Sequence, residues 1–386
     1  MDSPFPERGS RWDVLIAGAG PAGSMAAVEL AQAGCDVLLI DRSRFPRQKV
    51  CGCCLNLAGV SILENARVDL PGRIPNLQGL DSVVFEVQGT STSLRLPGGY
   101  AISRGLLDSV LAERASDVGA VFLDGTQGRL MSNRGERCRV KLTSGGREAI
   151  VEARVVLCAD GLQGTFLNRF PEFEPIIGAK SRLGLSTIIE SDSVTQPGPG
   201  LIRMAVGRAG YVGRVRLEEG SLAIAAAVDS RALAGSNPCL VVRGILAEAT
   251  GLDVDLSQAK WQGTQRLTRS RPSLGGRNLF ILGDAAGYAE PFTGEGMAWS
   301  LIQGKRIAPL VREALEEWNP SLLQSWEEDY RRIIGRRRSA CRLLGLTLRS
   351  PTFCRGIVAA LSMAPSLLNP LLMGMNRADL KGMGAP

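Results

Sequence analysis

Val14-Leu15-Ile16-Ala17-Gly18-Ala19-Gly20-Pro21-Ala22-Gly23 is the stretch that decides the fold. Its first four residues form a short apolar run that suits a buried strand. A glycine turn follows, and an alanine-rich segment over about Pro21 to Ala33 predicts a helix with proline in its first turn. A second apolar run, Val37 to Ile40, ends at Asp41. That is a βαβ unit of the size used to bind dinucleotides. Gly18 permits the tight turn, and Gly20 lets the backbone approach a pyrophosphate held at the positive helix terminus. Gly23 lets helix and strand pack closely. Asp41 stands where a carboxylate accepts hydrogen bonds from an adenosine ribose.

The rest of the chain bounds the chemistry. Its 386 residues, 45% hydrophobic and 22% charged, are enough for two or three domains with a sizeable core. There is no histidine. Ser-His-Asp and Cys-His nucleophile pairs, imidazole acid/base chemistry and the usual zinc sites are therefore excluded. The net charge of +7 is too mild to imply nucleic acid. Nine irregularly spaced cysteines, with a polar N-terminal segment of mixed charge, predict a reducing cytoplasmic setting and no metal site.

Charge is unevenly distributed. Nine arginines and no acidic residue lie between Asp329 and Asp379, and residues 356–376 carry no charge at all. Pro365, Asn369 and Pro370 interrupt that run, which argues against a membrane span.

Outside the first unit, residues 82–96 alternate and are β-rich, a helix is expected from Leu106 to about Val118, and several strands separated by Gly or Pro fill 181–228. The chain is mostly helical from Gly296 onward. The pattern is α/β with an α+β character: a parallel sheet interrupted by an antiparallel one, then a helical tail. The predicted division gives 1–80, 97–175 and 265–318 to a discontinuous Rossmann-type domain. It gives 81–96 and 176–264 to a β-rich substrate domain, and 319–386 to a C-terminal helical segment.

A second motif stands far along the chain. The strand around Leu279 to Leu282 ends in Gly283-Asp284, and the loop Pro291-Phe292-Thr293-Gly294-Glu295-Gly296 feeds a helix. Its backbone N–H groups and helix dipole suit anionic charge on a bound ring, and Asp284 suits a cofactor hydroxyl.

Together these motifs resemble the FAD-dependent oxidoreductases of the flavoprotein monooxygenase superfamily, in the branch of geranylgeranyl reductases and flavin-dependent halogenases. The likeness covers about Asp13 to Arg312. It is carried also by the run from Asp41 to Gly52, by Ile102-Ser103-Arg104-Gly105, and by Cys158-Ala159-Asp160-Gly161. It implies FAD, held by Gly18, Gly20, Pro21, Ala22, Gly23, Asp41, Arg42, Arg104, Asp160, Gly161, Gly283, Asp284, Pro291, Gly294, Gly296 and Met297. It implies NAD(P)H as reductant, and a C-terminal helical lid over the substrate cavity.

The sequence also departs from that pattern. After Gly161 stand Leu162, Gln163, Gly164 and Thr165 in place of the usual Ser and Arg, which leaves a pyridine-nucleotide contact there unsupported and a partner reductase open. Tyr211-Val212-Gly213-Arg214-Val215 lacks the aromatic residues of the reductase strand, and no halogenase Trp-x-Trp-x-Ile-Pro segment occurs.

The expected substrate is an apolar small molecule. The reading leans to a hydroxylase using O₂ on an aromatic or polyketide-like compound. The alternatives are a double-bond reductase of a prenyl or lipid-like substrate and an electron-transfer flavoprotein. Cys51, Glu295 and Tyr211 are the catalytic candidates, with Arg214 beside Tyr211. For Cys51-Gly52-Cys53-Cys54, a redox role and close packing beside the flavin both stay open. For the arginine-rich tail, peripheral membrane contact is the second reading after a lid.

Overall fold

The structure is a computed structural model describing residues 5–190, 197–289, 292 and 294–363, with the side chains of 336–340, 342–344 and 346 excluded. Strands Arg11–Ala17 and Val37–Ile40 pair in parallel, Val14 opposite Val37 through Ala17 opposite Ile40. Helix Pro21–Gln32 connects them. All four residues of Val37–Ile40 are buried, because a parallel strand in mid-sheet is covered on both faces. Each such aliphatic side chain contributes roughly 1.5–3 kcal/mol on burial. The sheet has eight strands among the described residues. Arg147–Cys158 runs parallel to Arg11–Ala17 on one side, Leu279–Ile281 runs parallel beyond it, and Val121–Leu123 runs parallel to Val37–Ile40 on the other.

This order places both motifs at one sheet end. Gly18 follows Ala17, Asp160 follows Cys158 and Gly283 follows Ile281 on three adjacent parallel strands. Helix Gly296–Glu316 packs on helix Pro21–Gln32 through Gly304, where a Cβ would stand 2.3 Å from the Ala22 carbonyl oxygen. Only glycine allows that approach.

A second, seven-stranded sheet is antiparallel except where Leu201–Gly207 runs parallel to Ser82–Val87. One face packs on helix Pro238–Thr250 through Val242, Ile245 and Leu246. Residues of its other face line a cavity together with residues at the end of the first sheet. The two layers are tied at Ser103, whose backbone N–H donates to buried Glu218 at 3.1 Å.

The tail is helical over Pro320–Thr347 and Pro351–Met363. Cys354 and Val358 join a cluster with Val83, Met204 and Tyr211, so the last helix packs on the second sheet. Among the described residues, no helix is long and apolar enough to cross a membrane. The remainder of the uncharged run, 364–376, lies outside the described residues, as does Pro291.

Candidate active site

A cavity of about 640 Å³ lies between the two sheets. It is lined by fourteen of the sixteen expected cofactor residues: Gly18, Gly20, Pro21, Ala22, Asp41, Arg42, Arg104, Asp160, Gly161, Gly283, Asp284, Gly294, Gly296 and Met297. Cys51, Glu295 and Tyr211 line it too. Gly23 stands behind the wall, where a Cβ would be 1.9 Å from the Gly18 oxygen. Its role is close packing.

The polar end is built for an anion. Gly18 has φ +107°, and a Cβ there would lie 2.3 Å from the Ala159 carbonyl oxygen. Gly20 caps helix Pro21–Gln32 without any side-chain hydrogen bond, leaving the positive terminus open to the cavity. A Cβ at Gly20 would point to Arg104 Nη2 at 3.6 Å and Arg47 Nη2 at 3.7 Å. Two guanidinium groups thus face a bare glycine turn at a helix N-terminus. Arg47 Nε is buried and has no hydrogen-bond partner among the described residues. An orphaned cationic donor beside such a cradle fits a diphosphate.

These cations are held by an ion-pair chain. Arg47 reaches Asp41 at 3.2 Å and Asp108 at 3.0 Å, while Arg104 grips Asp108 with Nε and Nη2 at 3.0 and 2.8 Å. Asp41 also accepts from the Ala19 and Ser43 backbone N–H groups at 3.0 and 2.9 Å. Burial works against the Arg104 charge, but Asp108, Cys51 and Asp284 outweigh it and hold the guanidinium above its ordinary range. Lys49 lies over Gly161, and burial followed by the Arg104 charge pushes its ammonium down. Asp160 accepts from the Phe166 N–H at 2.9 Å, and burial raises its carboxyl.

Arg47, Lys49 and Asp108 fall within or beside the runs that carry the resemblance, but the sequence assigned none of them a role. Asp108 follows Arg104 by four residues on a helix, a spacing that signals a pair. Nothing in the loop from Arg42 to Val50 marks Arg47 or Lys49 above its other basic residues.

The cysteines stand where the polar end meets the apolar end. The Cys53 backbone N–H donates to Cys51 Sγ at 3.4 Å, and the Cys54 thiol donates to the Gly52 carbonyl at 3.2 Å. Hydrogen bonding from the Cys53 thiol lowers Cys51 to about 6 against its burial, aided by the Arg104 charge. The same bond and burial raise Cys53, and burial with the nearby Cys51 raises Cys54 to about 12. Among the described residues no group of acids and thiols is placed to hold a metal ion.

The apolar end belongs to the second sheet. Val83, Phe85, Ile202, Met204 and Val215 line it, over a floor kept shallow by Gly213, Ala225 and Ala227. Phe292 stacks on Phe85 at 5.5 Å and meets Tyr211 edge-on at 5.0 Å. Arg214 borders the cavity, but strand alternation turns its side chain to the Val212 face, where Nη2 donates to Glu86 at 2.7 Å.

Comparison with known proteins agrees with this geometry. The FAD binding domain family matches residues 11–192. The menaquinone reductase of Mycobacterium tuberculosis (strain CDC 1551 / Oshkosh) is 31% identical over 378 residues, covering 88% of this chain and 85% of that protein. Digeranylgeranylglycerophospholipid reductase 2 of Methanopyrus kandleri is 27% identical over 346 residues, covering 83% of each. Among solved structures, a geranylgeranyl bacteriochlorophyll reductase-like protein from Thermoplasma acidophilum superposes with a TM-score of 0.77 at 19% identity, over 95% of this chain and 96% of that one. The myxobacterial chondrochloren halogenase gives 0.76 at 18%, over 96% and 91%. The chain belongs to the family of FAD-dependent reductases that includes the menaquinone reductase of Mycobacterium tuberculosis. It is an FAD-dependent oxidoreductase.

Proposed function

We propose that this enzyme reduces a carbon–carbon double bond in an elongated, prenyl-bearing molecule, drawing electrons from NAD(P)H. The observation that carries this reading is the division of one cavity into two chemically opposite ends. The end beside Gly20 is cationic, while the end beside Met204 is walled by aliphatic and aromatic side chains over Gly213 and Ala225. A flexible hydrocarbon fits the second end and an anionic cofactor the first. The names of the relatives, menaquinone reductase and digeranylgeranylglycerophospholipid reductase, support a lipid-like substrate. They favour reduction over the hydroxylation to which the sequence leaned.

The chemistry that bound FAD would supply is hydride delivery to one carbon of the double bond. The other carbon takes a proton, so the bond becomes saturated and no oxygen is added. The chain's own residues do the remaining work. Arg47, Arg104 and the Gly18–Gly20 turn would hold the diphosphate. The walls at Val83, Met204 and Phe292 exclude water and align the chain. The Cys51 thiol donates the proton, and the resulting thiolate is stabilised by the Cys53 hydrogen bond and the Arg104 charge. Solvent then reprotonates it.

The test is mass spectrometry of prenyl lipids incubated with the FAD-loaded enzyme and NADPH or NADH. A product heavier by two hydrogens supports the reading, and a product carrying one added oxygen overturns it. If FAD is reduced by dithionite but by neither nucleotide, the electron source is a partner reductase instead.

A further inference from the structure

We infer that Cys51 and Cys53 are a peroxide-reactive dithiol, whose sulfurs join in a reversible disulfide on the cavity wall. Both residues line the cavity. Only Cys51 has a part in the proposed reduction, which leaves Cys53 as a buried thiol beside it without one. The backbone brings the two sulfurs together. Residues two apart in the chain span at most about 7 Å, and disulfides usually bridge Cα separations of roughly 4.4–6.8 Å. Cys53 has φ +57°, a left-handed conformation uncommon for a residue with a side chain. Its N–H donates to Cys51 Sγ at 3.4 Å, and its sulfur stands 3.8 Å from the Cys51 carbonyl oxygen. Its thiol also reaches the Cys51 sulfur as a hydrogen-bond donor. A Cβ on Gly52 would meet nothing within 4 Å, so the turn has room to tighten. Cys54 is engaged elsewhere, its thiol donating to the Gly52 carbonyl at 3.2 Å.

The two sulfurs differ as an attacking and a resolving thiol must. The Cys53 hydrogen bond, then the Arg104 charge and a hydrogen bond from that guanidinium, hold Cys51 as a thiolate near neutral pH against its burial. Cys53 stays protonated and supplies the second sulfur. Burial raises Cys54 and Cys138 to about 12, and it raises Cys158 as well, so these sulfurs remain unreactive thiols.

Hydrogen peroxide is the oxidant. The Cys51 thiolate attacks one peroxide oxygen, the S–O bond forms, the O–O bond breaks, and the departing hydroxide takes a proton to become water. Cys53 then attacks the Cys51 sulfur. The S–S bond forms, the S–O bond breaks, and the Cys53 proton leaves with the hydroxyl as a second water. Two thiols are oxidised by two electrons while one peroxide is reduced to two waters. Reduced flavins release peroxide when they meet O₂. The cysteine run lies against the Gly294 loop of the same cavity, where a Cβ would stand 3.7 Å from the Cys54 Cβ. A small-molecule thiol reopens the bond by exchange. While closed, the bond withdraws the proton donor of the proposed reduction. That consequence rests on the reductase reading. The dithiol itself does not.

The experiment treats the FAD-loaded full chain, without substrate, with a small molar excess of hydrogen peroxide. The protein is then unfolded in an alkylating reagent, digested and read by mass spectrometry. The peptide carrying Cys51, Cys53 and Cys54 is expected to be lighter by two hydrogens and to take a single alkyl group, on Cys54. Dithiothreitol before alkylation should restore three alkyl groups. The oxidation rate should rise with pH through about 6, where Cys51 loses its proton. Cys54→Ser should still close the bond, and Cys53→Ser should stop at a sulfenic acid on Cys51 that dimedone captures. Cys51→Ser should slow oxidation of this peptide by at least about tenfold. FAD content and Tm report that each variant is folded, and the native chain alone gives the primary result. The inference is overturned if all three cysteines are alkylated after peroxide, or if the bond joins Cys54 or a cysteine outside this run. It is also overturned if Cys51→Ser is oxidised as fast as the native chain. No turnover is measured, so a chain that forms no disulfide leaves the reductase assay standing. A chain that closes the bond but reduces no lipid leaves the dithiol standing.

Discussion

Arg104 and Asp108 form a two-point ion pair at 3.0 and 2.8 Å inside the cavity wall, one helical turn apart and both buried. The pair aims the Arg104 guanidinium at the Gly20 turn, and through Asp108 it also anchors Arg47. Asp108→Asn removes the charge that compensates two buried cations. The expected loss is about 3–5 kcal/mol of stability, measured by urea unfolding, together with purification of the protein depleted of FAD. Normal FAD content in a stable Asp108→Asn enzyme would contradict this arrangement.

Gly18→Ala should abolish FAD binding. The added methyl would stand 2.3 Å from the Ala159 oxygen, at a φ of +107° that side chains rarely adopt. Gly34→Ala is the matched control, since Gly34 also has positive φ but has nothing within 4 Å. Its cost should be only about 1–2 kcal/mol of backbone strain. FAD absorbance per protein separates the two.

Activity should depend on pH through Cys51. Its thiol is lowered to about 6, and a donor must be protonated to act. Substrate reduction is therefore full below that pH and declines as pH rises through it. Cys51→Ala should reduce turnover by roughly 10²–10⁴-fold and flatten the profile, with FAD content retained. An unchanged profile in Cys51→Ala would move the proton donor elsewhere, Glu295 being the next candidate lining the cavity.

Ala225→Phe places a ring on the floor of the apolar end, opposite Gly213. Turnover of long prenyl substrates should fall, while FAD content and reduction of the bound FAD by dithionite stay normal. Equal loss of cofactor would mean that the two ends of the cavity are not separable.

How much of this was legible in the sequence follows from how local each signal is. The βαβ unit was readable because a glycine turn, an apolar strand and a terminal acid all fall within thirty residues, and the second strand runs Val37–Ile40 as expected. Strand Leu222–Val228 was likewise readable from its apolar run between turns. Helix Pro238–Thr250 was passed over among the strands, although Asn237 caps it, Pro238 opens it and Gly251 closes it at φ +75°. Residues 82–96 alternate throughout, which hid the hairpin that splits them at Gln88-Gly89. At the site, the glycines and acids carried their own spacing signal. The roles of Arg47 and Lys49 arise only when a loop folds back over Gly161 and Asp108, and no local pattern encodes that.

The central claim is tested most directly by an anaerobic single turnover. The FAD-loaded enzyme is photoreduced, mixed without O₂ with a geranylgeranyl-bearing lipid that has no redox-active head, and followed by visible absorbance and mass spectrometry. The account predicts return of oxidised FAD absorbance together with a lipid heavier by two hydrogens. FAD that stays reduced until O₂ is admitted, with the lipid unchanged or carrying one new oxygen, would contradict it.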